Sequence, residues 1–195
     1  MAHDPFEAAV RRRGMANETW TLATMEPVIV VQPGNPHDIQ GLEALINPEI
    51  NLLLTDRTYS TTGHLVTRMY EKLGLLDELE ENITARLRCP CTAANALTLE
   101  TADAAIVWNV VAGLRKDKLD IIEIAPDHRL KQGVDVVTSA TFGQVDMSVT
   151  KVSVALLKYS QNPDAARAFA VYASSSRCAP IWKEFGFLSP SSEKW

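Results

Sequence analysis

The chain has little cysteine, no excess of basic charge and no long apolar run, and each shortage removes a class of protein. Three cysteines in 195 residues, Cys89, Cys91 and Cys178, are an odd count and make no disulfide framework. The "CPC" pair lacks the further ligands at fixed spacing that a zinc site demands. The thiols therefore read as buried or loop residues, and no metal cofactor is expected. Nineteen Lys and Arg against 24 Asp and Glu give a net charge of −5. A general nucleic-acid binder needs a basic face, and the one basic run, Arg11 to Arg13, reads as a solvated helix face. No stretch approaches the roughly 18 apolar residues of a membrane span. "MAHDPFEAAV" lacks the apolar h-region of a signal peptide, so the sequence read literally stays in the cytoplasm. Nucleotide loops (G-x-G-x-x-G, Walker A), the H-E-x-x-H zinc motif and the G-x-S-x-G nucleophile elbow are also missing.

What is present is a regular alternation. The apolar fraction, 46%, supports a sizeable core, in one domain of good size or one and a half small ones. Asp4, Pro5 and Gly14 bracket a short helix over 5–13. A β-branched run at 28–31 ends in two proline-bearing turns. A helix at 39–46, a strand at 50–55 and a helix at 62–73 follow, the last with Leu65, Met69 and Leu73 on one stripe and Val66 and Tyr70 beside it. Then come a strand at 83–88, a helix at 92–101, a strand at 104–108, a short helix ending at Gly113, and a strand at 119–124. This rhythm predicts an α/β layered domain with a largely parallel sheet. Beyond residue 126 two strand-like runs, "VDVVTSATF" and "KVSVALLKY", have no helix between them. Asn162 and Pro163 open a helix over 163–173, with Ala166, Phe169, Ala170 and Tyr172 as burial candidates, and a last helix spans 175–184.

In open α/β sheets ligands sit beyond the carboxyl ends of the strands, where helices begin. Helix starts offer free N–H groups and a positive dipole end, a natural anion site. Surface helices often place an acid there; three successive junctions here do not. After strand 50–55 come Ser60, Thr61, Thr62 and Gly63, then His64. After strand 83–88, Thr92, Ala93 and Ala94 open a helix with no acid before Glu100. After strand 104–108 come Trp108 and Asn109. Ser and Thr cap helices in proteins that bind nothing, so one such loop carries little. Three in a row point to a small oxyanion held by hydroxyls and amides, with Gly63 allowing close backbone approach. Catalytic readings are thin. The four histidines, His3, His37, His64 and His128, are scattered, Asp103 reads as part of the turn before "AAIVW", and an enzyme working through His64 and Asp56 is a minor alternative.

The residues also carry a resemblance. "PVIVVQPGNPHDIQGLEAL", "TDRTYSTTGHLVTRMYEKLGLLDELEENI", "TADAAIVWN" and "SQNPDAARAFAVYASSSRCAPIWKEFGF" resemble, in the same order, segments of bacterial extracellular solute-binding proteins of the molybdate-binding kind. The resemblance implies a type II periplasmic-binding-protein-like three-layer α/β fold, two lobes joined by a hinge and closing on a tetrahedral oxyanion such as molybdate or tungstate. It implies a periplasmic or extracellular, non-enzymatic receptor that hands its ion to the permease of an ABC transporter. Ser60, Thr61, Thr62 and Gly63, then Thr92, Ala93 and Ala94, fall at family contact positions. Trp108, beside Asn109, stands where the family has a Tyr, and an indole offers N–H but no hydroxyl. The family's opening strand, helix and Ser-bearing loop have no counterpart before "MAHDPFEAAVRRRG". The expectation is therefore a remnant of the first lobe and hinge over 1–25, one complete lobe over 26–160, and helices returning to the first lobe over 161–195. A truncated chain would leave Phe6, Val10, Phe169 and Trp182 uncovered and be poorly soluble, self-associate or have mobile ends. A cytoplasmic ligand-sensing domain of a transcription regulator is the alternative, since the same fold serves there; an upstream DNA-binding domain would favour it and an upstream signal peptide the receptor.

Overall fold

The computed structural model describes residues 2–3, 9–131, 134–139, 143–146 and 150–189. The chain divides into two compact units, one of Met1–Met25 with Val149–Lys194 and one of Glu26–Ser148.

The Glu26–Ser148 unit is built on a five-stranded sheet. In the first unit, chain order gives β1 (Ala2–His3), α1 (9–12) and β2 (Ala16–Thr24), and this unit's sheet opens with β3 (Pro27–Val31). It continues through β4 (Leu52–Thr55), α2 (Thr61–Leu73), α3 (Leu76–Asn82), β5 (Ile83–Leu87), α4 (Pro90–Thr98), β6 (Ala104–Trp108), α5 (Asn109–Gly113) and β7 (Asp120–Glu123). The strand order is β5-β4-β6-β3-β7. β4 runs parallel to both β5 and β6, whereas β3 runs antiparallel to β6 and β7. The sheet is mixed rather than simply parallel, with the reversed strand inside it. Every residue of β3, β4 and β6 is buried, as expected of strands covered on both faces. A short hairpin, β8 (Val136–Ser139) with β9 (Gly143–Asp146), closes the unit.

Local chemistry explains where elements begin and end. Ser60 caps α2, its Oγ accepting from the Gly63 N–H, and Gly74 ends the helix in the left-handed conformation at φ 69°. Leu65, Val66, Met69 and Tyr70 form the buried stripe, and Leu73 is half-buried. The Tyr70 hydroxyl donates to the Leu42 carbonyl at 2.6 Å. The helix anticipated at 39–46 is only a 3-10 turn, Leu42–Ile46. The Asn35 side chain exchanges two hydrogen bonds with the Ile39 backbone and holds 35–39 as a loop. α3 was not anticipated; it packs through Leu79 alone, too little apolar pattern to declare itself.

Asp135 is the one fully buried carboxylate among the described residues. It accepts from Arg68 Nε at 3.1 Å, Lys72 Nζ at 3.0 Å and the Lys131 N–H at 2.6 Å. Arg68 and Lys72 stand four residues apart on α2, so one acid ties the far half of that helix to the 131–135 loop. Burial opposes ionisation of Asp135, but the Lys131 amide, Lys72 and Arg68 outweigh it and lower its pKa.

The other unit pairs the two ends of the chain. β10 (Lys151–Leu157) lies between β1 and β2, antiparallel to both. β2 was missed in the sequence, and β10, grouped by sequence with the 26–160 stretch, pairs here instead. Two helices follow, α6 (Pro163–Ala173) and α7 (Ala179–Glu184). Asn162 caps α6, accepting from the Ala165 N–H at 3.2 Å. The buried seam of α6 runs through Ala170 and Ala173. Phe169 and Tyr172 flank that seam and are 53% and 54% exposed, so they are not the buried positions the pattern suggested. Trp182 is half-buried, its indole donating to the Ala173 carbonyl and its ring packed edge-on against Phe187. The helical N-cap proposed at Asp4 and Pro5, and Phe6, lie outside the described residues; Gly14 does end α1, at φ 64°.

Two outcomes are expected. Asp135→Asn should lower unfolding free energy by about 2–3 kcal/mol, the scale of a hydrogen bond to a charged group, measured by urea denaturation. Because the folded pKa of Asp135 is depressed, its contribution is complete above the ordinary carboxylate value of 3.8 and is lost as pH falls through the lower folded value; the variant's stability should therefore fall less steeply in acid. The exposed Phe169, Tyr172, Ile181 and Phe185 of the C-terminal helices should make the chain self-associate in sedimentation, and Phe169→Ser with Phe185→Ser should shift it toward monomer.

Candidate functional site

Because β5, β4 and β6 are adjacent and parallel, their carboxyl ends, Leu87, Thr55 and Trp108, lie along one edge of the sheet. α4, α2 and α5 begin from these ends, and none has an acid in its first turn. The three anticipated junctions therefore do share an edge.

The loop after β4 is held by its own acid. Asp56 donates its N–H to the Leu87 carbonyl at 2.8 Å, joining the ends of β4 and β5. Asp56 Oδ1 accepts from the Thr58 and Tyr59 N–H groups at 2.7 and 3.2 Å, an Asx turn. These amides, Thr58 first, hold the Asp56 pKa below its usual value despite some burial, with Arg86 adding to the effect. Ser60 N–H returns to the Asp56 carbonyl at 3.0 Å. Gly63 then passes so close that an added Cβ would sit 2.2 Å from the Asp56 carbonyl oxygen. The sequence expectation was that Gly63 makes room for an anion; the room it makes is taken by Asp56.

A cavity of about 380 Å³ opens beside this loop, lined by Asp56, Tyr59, Ser60 and Arg88. Tyr59 is 74% exposed. Arg88, just past β5, is exposed and makes no ion pair or hydrogen bond with other described residues. Ser60 is the one of the nine anticipated residues that lines the cavity. Thr61, Thr62 and Gly63 form the buried first turn of α2 beside it.

The second junction differs from its expectation. α4 starts at Pro90, whose fixed φ suits the first helical position, not at Thr92. Cys89 is the cap, its Sγ accepting from the Cys91 N–H at 3.3 Å, and its carbonyl accepts from Thr92 and Ala93. Thr92 thus lies inside the helix and is exposed, while Ala93 and Ala94 are fully buried; none is at the helix tip. At the third junction Trp108 is buried, and Asn109 is turned to Glu26, donating its N–H to the Glu26 carbonyl at 2.8 Å and accepting the Glu26 N–H on Oδ1 at 3.0 Å. α5, at five residues, has almost no dipole to offer.

The catalytic alternative gains nothing. His64 does not line the cavity, and burial lowers its pKa against the opposing effects of the Thr58 backbone and Asp56. Asp103 instead receives the Asn51 N–H at 2.7 Å and faces His37 at 3.5 Å, as the turn reading required. Among the described residues no three of His, Cys, Asp and Glu gather as a metal site. Arg88 and Tyr59 are the residues that sequence reasoning missed. Their signal was the second arginine of "ITARLR", at the strand's end, and an aromatic inside an otherwise hydroxyl-rich loop.

With this geometry in place, comparisons with known proteins define the class. A family model described as bacterial extracellular solute-binding protein matches residues 2–188, and the chain belongs to that family. It is a solute-binding protein of the ABC-transporter type, a class that takes a small ligand and works with a membrane permease. Comparison with curated proteins gave no match. Among solved structures, the sulfate-binding protein SubI of Mycobacterium tuberculosis H37Rv superposes with a TM-score of 0.73 at 14% identity, covering 97% of this chain and 67% of that one. The periplasmic molybdate-binding protein of Azotobacter vinelandii gives 0.70 at 18% identity, covering 93% and 73%. Peb3 of Campylobacter jejuni gives 0.63 at 19% identity, covering 94% and 74%. The likeness establishes the periplasmic-binding-protein-like α/β fold. No described helix is long and apolar enough to cross a membrane.

Gly63→Ala should be strongly destabilising, well beyond the ~1 kcal/mol expected for Ser60→Ala as a lost cap, because the clash is with backbone rather than with a movable side chain. Paired urea titrations of the two variants give the comparison.

Proposed function

We propose that this chain is an extracellular receptor for a small oxyanion, which it delivers to an ABC-type permease, and that the cavity beside the Asp56–Ser60 loop holds the ion. The observation that carries the reading is the acid-free start of α2 next to a cavity bearing the Ser60 hydroxyl and Arg88, which has no ion-pair partner among the described residues. The Ser60 oxygen already accepts from Gly63, which leaves its proton available to donate. A guanidinium fork and a hydroxyl suit an anionic oxygen cluster. Binding would be electrostatic and hydrogen-bonded, without covalent steps.

The solved neighbours include proteins named for binding sulfate and molybdate and one bound to L-phospholactate. The names of these three refer to anions, which supports the class, while another neighbour is the iron-bound HitA of Pseudomonas aeruginosa. Within it, the sequence resemblance favours molybdate or tungstate. The division into a lobe of Glu26–Ser148 and part of a second lobe belongs to the same proposal; the chain spans 67% to 74% of the three neighbours described above. In this reading Thr61, Thr62 and Gly63 frame the cavity beside Ser60, and Thr92, Ala93, Ala94, Trp108 and Asn109 lie outside its lining.

Thermal unfolding with molybdate, tungstate, sulfate and phosphate tests this. A true ligand at 100 times its Kd should raise the midpoint by about 5–10 °C. Ser60→Asp keeps a good cap but adds negative charge to the cavity wall, and should abolish the rise. A shift that survives in this variant places the ligand elsewhere.

A further inference from the structure

We propose that Cys89 and Cys91 form a thiol–disulfide exchange site, which passes two electrons to a small-molecule disulfide and closes a reversible Cys89–Cys91 bond. The proposal does not depend on the oxyanion reading.

Both are free, exposed thiols, whereas Cys178 is buried. Residues two apart within a helix do not face each other. These two approach because only Cys91 is helical. Cys89 is the extended cap residue, at φ −135° and ψ 133°, and its side chain folds back over the first turn to accept the Cys91 N–H at 3.3 Å. The Cys89 carbonyl takes the Thr92 N–H at 3.1 Å and the Ala93 N–H at 3.4 Å, which closes the turn around the pair. Pro90 stands between them at the helix start with its φ fixed, so little backbone freedom remains to be lost when the sulfurs join.

The two sulfurs are not equivalent. Cys89 Sγ accepts the Cys91 amide and stands within hydrogen-bonding reach of the Cys91 thiol. Burial first, then that hydrogen bond and the charge of Cys89, push the Cys91 pKa up, with Arg115 opposing. Cys91 therefore keeps the proton, and Cys89 is the attacking sulfur, since the thiolate is the nucleophile. Cations stand close by. Arg88 is the preceding residue and exposed, and Arg115 is held on Asn95 Oδ1 by Nε at 3.0 Å and Nη2 at 2.6 Å.

The exchange has two steps. Cys89 Sγ attacks one sulfur of the reagent disulfide, forms a mixed disulfide and releases one thiolate. Cys91 then loses its proton to that thiolate, attacks Cys89 Sγ and expels the second thiolate, which takes up the proton released when Cys89 ionised. The protein gives up two electrons and two protons, and the reagent leaves as two thiols. A ring that spans a single intervening residue is short, and strain makes such a bond easy to reduce. The bond is a labile one, not a structural staple.

Mass spectrometry of the reduced 195-residue chain, equilibrated with glutathione disulfide without air, tests this. The expected product is a monomer with an internal Cys89–Cys91 bond, reopened by excess reduced glutathione. Cys91→Ser should stop at a stable glutathione adduct on Cys89. Cys89→Ser keeps a good cap and should react about tenfold more slowly or less, having lost the attacking thiol. Phenylarsine oxide, which bridges two neighbouring thiols, should bind at one equivalent per chain, and either serine variant should weaken it about a hundredfold or more. Glutathione adducts on the unmodified chain with no internal bond, a bond between two chains or one that uses Cys178, or arsenical binding unchanged in the serine variants overturns the proposal. Should the serine variants fail to fold by circular dichroism, the disulfide found in the unmodified chain decides alone.

Discussion

The contact between Gly63 and the Asp56 carbonyl governs the site end of the molecule. Helix α2 can start where it does only because its third residue has no side chain to strike the end of β4. That close approach leaves Asp56 free to brace the loop through its own carboxylate and to pin β4 to β5 through its N–H. The cavity is a by-product of this economy of space. The chain turns within a few residues, so the side chains that cannot fit inward, Tyr59 and Arg88, stand around an opening.

Further along α2 the same rigidity is secured by charge. Arg68 and Lys72 converge on buried Asp135, two turns from the loop. Both ends of the helix are thereby fixed, one by backbone packing and the other by an ion cluster. The removal of one partner from such a cluster leaves uncompensated charge in a desolvated setting, so the geometry of the loop depends on residues with no ligand contact of their own.

Much of the layered unit was legible because burial on both faces writes continuous apolar runs into β3, β4 and β6. The Asn162 cap was legible for a local reason, since it acts within three residues of itself. Strand direction was not. Nothing in "PVIVV" states that it runs against its neighbours. The short amphipathic α3 and the half-exposed β2 left no clear period. For the candidate site, the sequence picked out three acid-free helix starts, a local signal, and these share one sheet edge. It failed on which residues face the opening. Pro90 shifted the start of α4 by two residues and took Thr92, Ala93 and Ala94 away from the tip, and Asn109 was claimed by the Glu26 backbone. Arg88 and Asp56 emerge as wall residues only because an N–H to carbonyl link between β4 and β5 brings their loops side by side.

The pairing of β2 with β10 carries a consequence for how the chain is made. β2 ends at Thr24, and its only hydrogen-bonded neighbour among the described strands begins at Lys151. During synthesis the early strand waits for this neighbour while more than a hundred residues emerge, whereas the five-stranded sheet of the contiguous unit is assembled from strands between Pro27 and Glu123. Non-local pairing of this sort is slow to form, and an exposed strand edge invites association with other chains. Biogenesis of the molecule is therefore most vulnerable at β2, a reason for such a chain to depend on a holding chaperone until β10 has been translated.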